Sequence, residues 1–132
     1  MSTQPYKKGT ILMPSGKCDH LHVVCNDPVM DASKGAESVL IVNITSIGSL
    51  TKYDRSCVLN VGDHPFIRHP SYMYYKGAVV YTAKAINDAV ANGKFTERED
   101  MLDSIFHRVL KGFEITDEVP YKVKRFYERH CK

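Results

Sequence analysis

The chain has 132 residues, of which 43% are hydrophobic and 25% charged, and its formal net charge is +3. These values are typical of one globular domain and argue against a disordered chain, a coiled coil or a second large domain. No apolar run approaches the about 18 residues that a membrane-spanning helix needs, and residues 1–10 contain no signal-peptide core, so we expect a cytoplasmic protein with no membrane partner.

Short apolar runs separated by turn residues predict several strands in the first part of the chain. Residues 10–13 form the first run and are followed by Pro14, Ser15 and Gly16. The second predicted strand spans 20–25, and a polar loop is expected over 26–37. Residues 38–46 are apolar on both faces and rich in β-branched side chains, which predicts the central buried strand.

Further short strands are predicted at 57–61 and 78–81, and the pattern then becomes helical. Good helix formers at 83–91 end at an Asn-Gly step, which is typical of a helix end. A second helix is expected to begin at Thr96, whose hydroxyl would cap it, and to end at Gly112. The third, basic and amphipathic, is predicted within 117–131.

These elements predict a single domain, mainly β with α. Its β part would be a small, partly open β-barrel over about residues 6–81, because several short strands with regular turn signals favour a barrel or sandwich. Two or three C-terminal helices over about 82–131 would pack against it. The four cysteines show no CxxC pair, so we expect free thiols.

Two polar clusters stand out in this framework. Side chains alternate between the faces of a strand, so His20 and His22 lie on one face of the second strand while Leu21 and Val23 lie on the other. The strand thus presents two imidazoles side by side. A second cluster, residues 62–72, has the sequence GDHPFIRHPSY and is the expected partner of the first.

The order of the first strands resembles the PemK/MazF-like growth-inhibitor toxins. The resemblance covers about residues 8–81 and rests on the Gly-led strand 8–12, on the strand 20–24 and on the strand 39–46 that ends in Thr45 and Ser46. It implies a PemK/MazF/CcdB-like barrel, a homodimer, metal-independent cleavage of single-stranded RNA and neutralisation by an antitoxin protein. Where the family has an Arg-Pro step, this chain has His20 and Leu21.

The residues themselves suggest how such cleavage would proceed. Metal-free cleavage of RNA needs a base for the 2′-hydroxyl proton, an acid for the leaving 5′-oxygen, and cations or donors at the phosphate. Imidazole suits the first two roles because it titrates near neutral pH. We predict His20 or His22 as the base and His69 as the acid. The other predicted residues would contact the phosphate or the RNA, and they are Arg68, Thr45, Lys17, Ser46, Ser71, Tyr72 and Tyr74.

A zinc site is a weaker alternative to this metal-free, cofactor-free chemistry. His20 and His22 have a ligand spacing on one strand face, but neither a second HxH nor a CxxC or HExxH motif accompanies them. The residues that would complete the shell are Cys18, Asp63, His64 and His69.

A third alternative is a non-catalytic regulatory module of a phage or plasmid element that binds nucleic acid or protein. Tyr72, Tyr74 and Tyr75 alternate with Arg68 and Lys76 as in a platform for single-stranded nucleic acid, where bases stack on rings and phosphates meet cations. The same pattern is also typical of an ordinary strand with one packed face.

Overall fold

An antiparallel sheet that curls into a half-barrel forms the centre of the fold. The computed structural model describes residues 4–15 and 18–132. The strands and helices of these residues are β1 (Thr10–Ser15), β2 (Cys18–Val24), β3 (Val29–Asp31), β4 (Ala36–Ser46), β5 (Val58–Leu59), β6 (Ser71–Thr82), α1 (Ala83–Ala91), β7 (Thr96–Arg98), α2 (Asp103–Ile115) and α3 (Tyr121–His130). Six strands follow one another in the order β5-β6-β4-β2-β1-β7, and β3 pairs with the start of β4.

The central strand β4 confirms the prediction made from its apolar run. Val39, Leu40, Ile41 and Val42 have no exposed surface, and the strand pairs with β2 on one side and with β6 on the other. Both faces of β4 are therefore buried along this stretch, which explains why its sequence shows no polar alternation there.

Strand β6 is much longer than the predicted 78–81, and its pairing with β4 contains a pronounced irregularity. Ile41 pairs with Val79 and Asn43 pairs with Tyr74, so the single residue Val42 faces four residues of β6, numbers 75–78. An excess of residues on one strand bends it and increases its twist. The bend lets the tyrosine-rich first half of β6 continue the sheet in a different direction from the second half.

Two apolar clusters lie on opposite faces of the sheet. Helices α2 and α3 cover the first cluster, in which Phe113 and Tyr127 stack with ring centroids 5.0 Å apart. Helix α1 covers the second cluster, to which it contributes Ile86 beside strand residues such as Val24 and Ile41. Because the helices lie on both faces, the sheet is a middle layer rather than the wall of a closed barrel.

The predicted helix start at Thr96 is wrong. Residues Thr96–Arg98 form β7, which pairs with β1 through Leu12 and Thr96, Ile11 and Glu97, and Thr10 and Arg98. Helix α2 begins only at Asp103. The acidic residues after Thr96 favour a helix N-terminus locally, but β1 would otherwise end the sheet with unpaired backbone groups, and strand pairing satisfies them.

Smaller differences concern the loops and the helix ends. The predicted loop 26–37 contains β3, and the predicted strand 57–61 is reduced to Val58–Leu59. Helix α1 has the predicted bounds, with Thr82 as its capping residue. Helix α3 begins at Tyr121, directly after Pro120. None of the helices in the described residues is long and apolar enough to cross a membrane.

Helix α2 passes through Gly112, where the sequence predicted its end, and continues to Ile115. Gly112 is needed for close packing rather than for termination: a Cβ atom there would overlap the hydroxyl group of Tyr75. That hydroxyl is buried and donates a 2.6 Å hydrogen bond to the carbonyl of Val109. The glycine thus allows β6 and α2 to approach each other closely.

Candidate functional site

The sheet face that carries α1 becomes polar beyond the end of the second apolar cluster. On β2, Val24 belongs to this cluster, whereas His22 and His20 continue the same face towards the start of the strand. On β4, the corresponding polar residues are Asn43 and Thr45. The histidines are half-buried, and the alternation predicted for β2 is confirmed by the buried Leu21 and Val23.

Strand register brings these side chains into rows across three strands. His22 is opposite Asn43, and Asn43 is opposite Tyr74, while Thr45 is opposite Tyr72. Together they surround a cavity of about 480 Å³, the Tyr74 cavity. Its lining residues are His20, His22, Asn43, Thr45, Tyr72, Tyr74 and Gly77.

A second cavity of about 610 Å³, the His69 cavity, shares His20 and Thr45 with the first. The second polar cluster of the sequence contributes Arg68, His69 and Ser71 to it, and Ser46 also lines it. Nine of the ten residues predicted as the site therefore line one or both cavities. The tenth, Lys17, lies outside the described residues.

His22 has a defined hydrogen-bonding arrangement. Its Nδ1 is 3.0 Å from the carbonyl oxygen of His20. A carbonyl oxygen can only accept, so Nδ1 carries the proton in this contact and Nε2 is the nitrogen that can take up another. Burial lowers the pKa of His22 below its ordinary value of 6.5, against the opposing effect of the hydrogen bond to His20. His22 is thus predominantly neutral at pH 7, the state required of a proton acceptor.

Asn43 and Thr45 form a polar pair that the sequence analysis recognised only in part. The side-chain amide of Asn43 donates to Oγ1 of Thr45 at 3.0 Å. This leaves the hydroxyl proton of Thr45 for an acceptor in either cavity. Asn43 was missed because it lies within an apolar run, although a lone amide in such a run is itself a signal of a polar environment.

Gly77 permits the ring of Tyr74 to lie against the backbone of β6. A Cβ atom at Gly77 would be 2.7 Å from Cδ2 and 2.8 Å from Cε2 of Tyr74. A side chain at this position would therefore displace the ring. Gly77 lies in the irregular part of β6, and its lack of a side chain leaves room for the Tyr74 ring.

The tyrosines form a ladder that extends beyond the sheet. The rings of Tyr72 and Tyr74 meet edge to face with centroids 6.3 Å apart, and the ring centroid of Tyr53 lies 5.3 Å from that of Tyr72. The guanidinium carbon of Arg55 is 4.2 Å from the centroid of Tyr53. The sequence shows the Tyr-Asp-Arg triplet at 53–55, but nothing in its spacing indicates that it folds against β6.

Asp54 holds this loop in place. Its carboxylate accepts hydrogen bonds from the amide of Ser56 at 2.9 Å and from the hydroxyl of Thr116 at 2.6 Å. Partial burial raises the pKa of Asp54, but these hydrogen bonds outweigh it and the pKa is lowered. Asp54 therefore ties the loop that carries Tyr53 and Arg55 to the end of α2.

His64 has a structural role. It is buried, its Nδ1 accepts from the amide of Phe66 at 3.0 Å, and its Nε2 is 2.7 Å from the carbonyl of Glu99. These contacts fix the loop that carries Arg68 and His69. Ser71 acts similarly, because its buried hydroxyl donates to the carbonyl of His69 at 2.8 Å and so positions that segment.

The proposed zinc shell does not assemble. Across residues 4–15 and 18–132, no group of three or more His, Cys, Asp or Glu side chains is arranged to hold a metal ion. Asp63 accepts from the amide of Asn60, and His64 is engaged with Glu99, so neither joins His20 and His22.

Comparison of the chain with protein-family models, curated proteins and solved structures gives no match.

Proposed function

We propose that the chain is an endoribonuclease that binds single-stranded RNA across the Tyr74 and His69 cavities and cleaves it without a metal. The observation that carries this proposal is that His20, Arg68, His69 and Thr45 line one cavity. His22 lines the cavity next to it. Two exposed or half-exposed imidazoles, a cation and a hydroxyl around one space are the groups that such a reaction needs.

In the proposed reaction, Nε2 of His22 takes the proton from the 2′-hydroxyl of the RNA. The 2′-oxygen forms a bond to the adjacent phosphorus, and the bond from phosphorus to the 5′-oxygen breaks. His69 protonates the departing 5′-oxygen. The products are a 2′,3′-cyclic phosphate and a free 5′-hydroxyl. The proton that His22 takes from the 2′-hydroxyl is balanced by the proton that His69 gives to the 5′-oxygen.

The phosphate is expected to lie where the two cavities meet. His20 and Thr45 line both of them, so a phosphate at this boundary has the two histidines of the proton transfers on either side. The unshared hydroxyl proton of Thr45 and the guanidinium group of Arg68 would stabilise the negative charge that develops on the non-bridging oxygens.

The tyrosine ladder accounts for binding of the RNA on one side of the phosphate. Tyr74 lines the cavity, and Tyr53 with Arg55 extends the aromatic and cationic surface. Stacking of a base on such a ring contributes about 1–3 kcal/mol and depends little on base identity. Single-stranded RNA fits this surface because its bases are free to stack.

The resemblance to the PemK/MazF-like toxins supports the same proposal, and the antiparallel, curled sheet is compatible with it. Under this proposal the protein acts as a homodimer and is neutralised by an antitoxin protein. The histidines would then take over the function of the Arg that the family has at the position of His20.

The test is incubation of the purified chain with a mixed-sequence single-stranded RNA in the presence of EDTA. We expect fragments ending in a 2′,3′-cyclic phosphate, and no cleavage of the corresponding DNA, which lacks the 2′-hydroxyl. His22→Ala and His69→Ala should each lower the rate by about 100- to 10,000-fold. His107→Ala is the matched control, since His107 is exposed on α2 and lines neither cavity. Unchanged cleavage in both site variants would contradict the assignment.

The tyrosine ladder also favours a second candidate, a module that binds single-stranded nucleic acid without cleaving it. In that case RNA would stay intact, and Tyr74→Ala would weaken binding while His69→Ala would have little effect. Gel analysis of the RNA together with fluorescence anisotropy separates the two candidates.

A further inference from the structure

A groove of about 720 Å³ lies between α3, the turn after β3 and the second half of β6. Among the described residues, this α3 groove shares no lining residue with the two cavities of the candidate site. Val79 and Val80 contribute apolar side chains that are exposed or half-buried, and the buried Ala78, Val123 and Phe126 lie behind them. The groove therefore has an apolar component that could take aliphatic side chains.

Cations surround the α3 groove. Lys122, Arg125 and Arg129 recur at i, i+3 and i+7 on α3, so they lie along one side of the helix, and Lys34 faces them from the turn. Within the described residues, none of these four cations is within 4.0 Å of a carboxylate.

Asp31 is the one acidic residue among the described residues that line the groove, and it offsets only one of the four positive charges. Its carboxylate accepts hydrogen bonds from the amide and the hydroxyl of Ser33, at 3.1 and 3.0 Å. The groove thus keeps a marked positive charge, and an anionic ligand is the complementary partner.

Val79 and Val80, which line the groove, belong to a part of β6 that has one unpaired edge. Residues 79–82 of β6 pair with β4 on one side, whereas β5 reaches only Ser71 and Tyr72 on the other. In the part of the chain that the structure describes, no strand covers the second edge of β6 beside the groove. An open edge offers backbone donors and acceptors to an extended segment of another chain.

We propose that the α3 groove binds an acidic, extended segment of a partner protein, which adds a strand to the open edge of β6. Carboxylates of the segment would pair with Lys122, Arg125 and Arg129, while alternate aliphatic side chains would contact Val80. This site is separate from the proposed RNA site and does not depend on it.

Two other occupants fit less well. A second copy of this chain would bring the same cations against each other across a two-fold axis, which is unfavourable. RNA would meet few stacking surfaces in the groove, because Phe126, the aromatic ring of its apolar part, is 6% exposed and packs against the ring of His130.

The probe is a fluorescein-labelled synthetic heptapeptide of alternating Glu or Asp and Val residues, titrated with the full chain and followed by anisotropy. We expect saturable binding that Arg125→Glu with Arg129→Glu weakens about tenfold or more. The matched control is Lys94→Glu with Lys111→Glu, which makes the same change of charge at exposed positions outside the groove. Hydrogen exchange should show new protection at amides of residues 77–82.

Several results would overturn the proposal. These are absence of binding, equal weakening by both double variants, or binding without new protection on β6. A single-stranded oligonucleotide of equal charge that displaces the peptide and protects α3 more strongly would assign the groove to nucleic acid instead. Concentration-dependent dimerisation that is lost in the Arg125 and Arg129 double variant would assign it to a second copy. Circular dichroism of each variant verifies that it is folded.

Discussion

His22 donates the proton on Nδ1 to the carbonyl of His20, two residues earlier on the same strand, at a distance of 3.0 Å. The contact selects the tautomer of His22 and restrains its ring without using another side chain. The carbonyl is part of the β2 backbone, so the orientation of the ring depends on the strand itself. The site therefore obtains a positioned imidazole from strand geometry.

The first prediction concerns the pH dependence of cleavage. Because burial lowers the pKa of His22 below 6.5, the neutral form that acts as base persists to lower pH than in a free histidine. We expect the acidic limb of the pH profile of kcat/KM, where the base becomes protonated, to be centred below pH 6.5, while a separate basic limb reports loss of the proton from the acid. A pH–rate profile from about pH 4 to about pH 8 measures this. An acidic limb centred above 6.5 would contradict the assignment of His22 as base.

The same pKa shift predicts a change in stability. A histidine with a lowered pKa in the folded state binds a proton more readily when unfolded, so the free energy of unfolding should fall as the pH decreases below 6.5. The contribution of His22 to this decrease in the free energy of unfolding should end once the pH is below the lowered pKa of His22. Urea denaturation at several pH values, compared between the natural chain and His22→Asn, checks it. An identical pH dependence in both chains would show that His22 contributes nothing.

The third prediction concerns Gly77→Ala. The added methyl group would lie within 3 Å of two ring carbons of Tyr74, and this half-exposed ring can swing away from it. We expect RNA binding to lose at most the free energy that one stacked base contributes, which is about 1–3 kcal/mol. This loss corresponds to an increase in Kd of about 5- to 150-fold. The thermal transition should change little. Lys76→Ala, one residue away and exposed, is the control for a general effect of substitution in β6.

The fourth prediction concerns the contact between β6 and α2. Gly112→Ala should lower the free energy of unfolding by about 1–3 kcal/mol, because the buried Tyr75 hydroxyl cannot move away from the new methyl group. Tyr75→Phe removes the hydroxyl and should relieve part of this cost in the double variant, so the two effects should be less than additive. Denaturant unfolding of the four chains measures the coupling. Strict additivity would show that the two groups do not interfere.

The fifth prediction follows from the proposed toxin activity. Expression of the chain in bacteria should arrest growth, and His22→Ala or His69→Ala should relieve the arrest without reducing the amount of folded protein. His107→Ala should leave the arrest intact. If growth still stops in both site variants, the histidines are not the toxic determinant, and harmless expression of the natural chain would favour the binding module.

An element of this fold could be predicted from the sequence when the residues that determine it are neighbours in the chain. The apolar run of β4, the alternation of β2 and the helix α1 are recorded in neighbouring residues, and all three were recognised. The strand β7 was missed because its residues favour a helix start locally, whereas its actual partner, β1, lies more than 80 residues earlier. Long-range pairing of this kind leaves no pattern within the segment itself.

The candidate site shows the same distinction. The histidines were identified from strand alternation, and the placement of residues 68–71 beside β2 was anticipated from their chemistry alone. Tyr53 was missed because its contact with Tyr72 is made by an irregular loop that Asp54 ties to Thr116. Neither spacing nor composition could indicate that connection.

The composition of the two apolar clusters determines which residues of the candidate site can be substituted without loss of stability. Neither cluster includes His20, His22, Asn43, Thr45 or Tyr74, although all five belong to strands that run through the clusters. We therefore expect substitutions at these five positions to leave the two apolar clusters intact. The sheet could serve as a scaffold on which new ligand specificities are selected by varying these five positions. The residues of the two apolar clusters would continue to stabilise the fold.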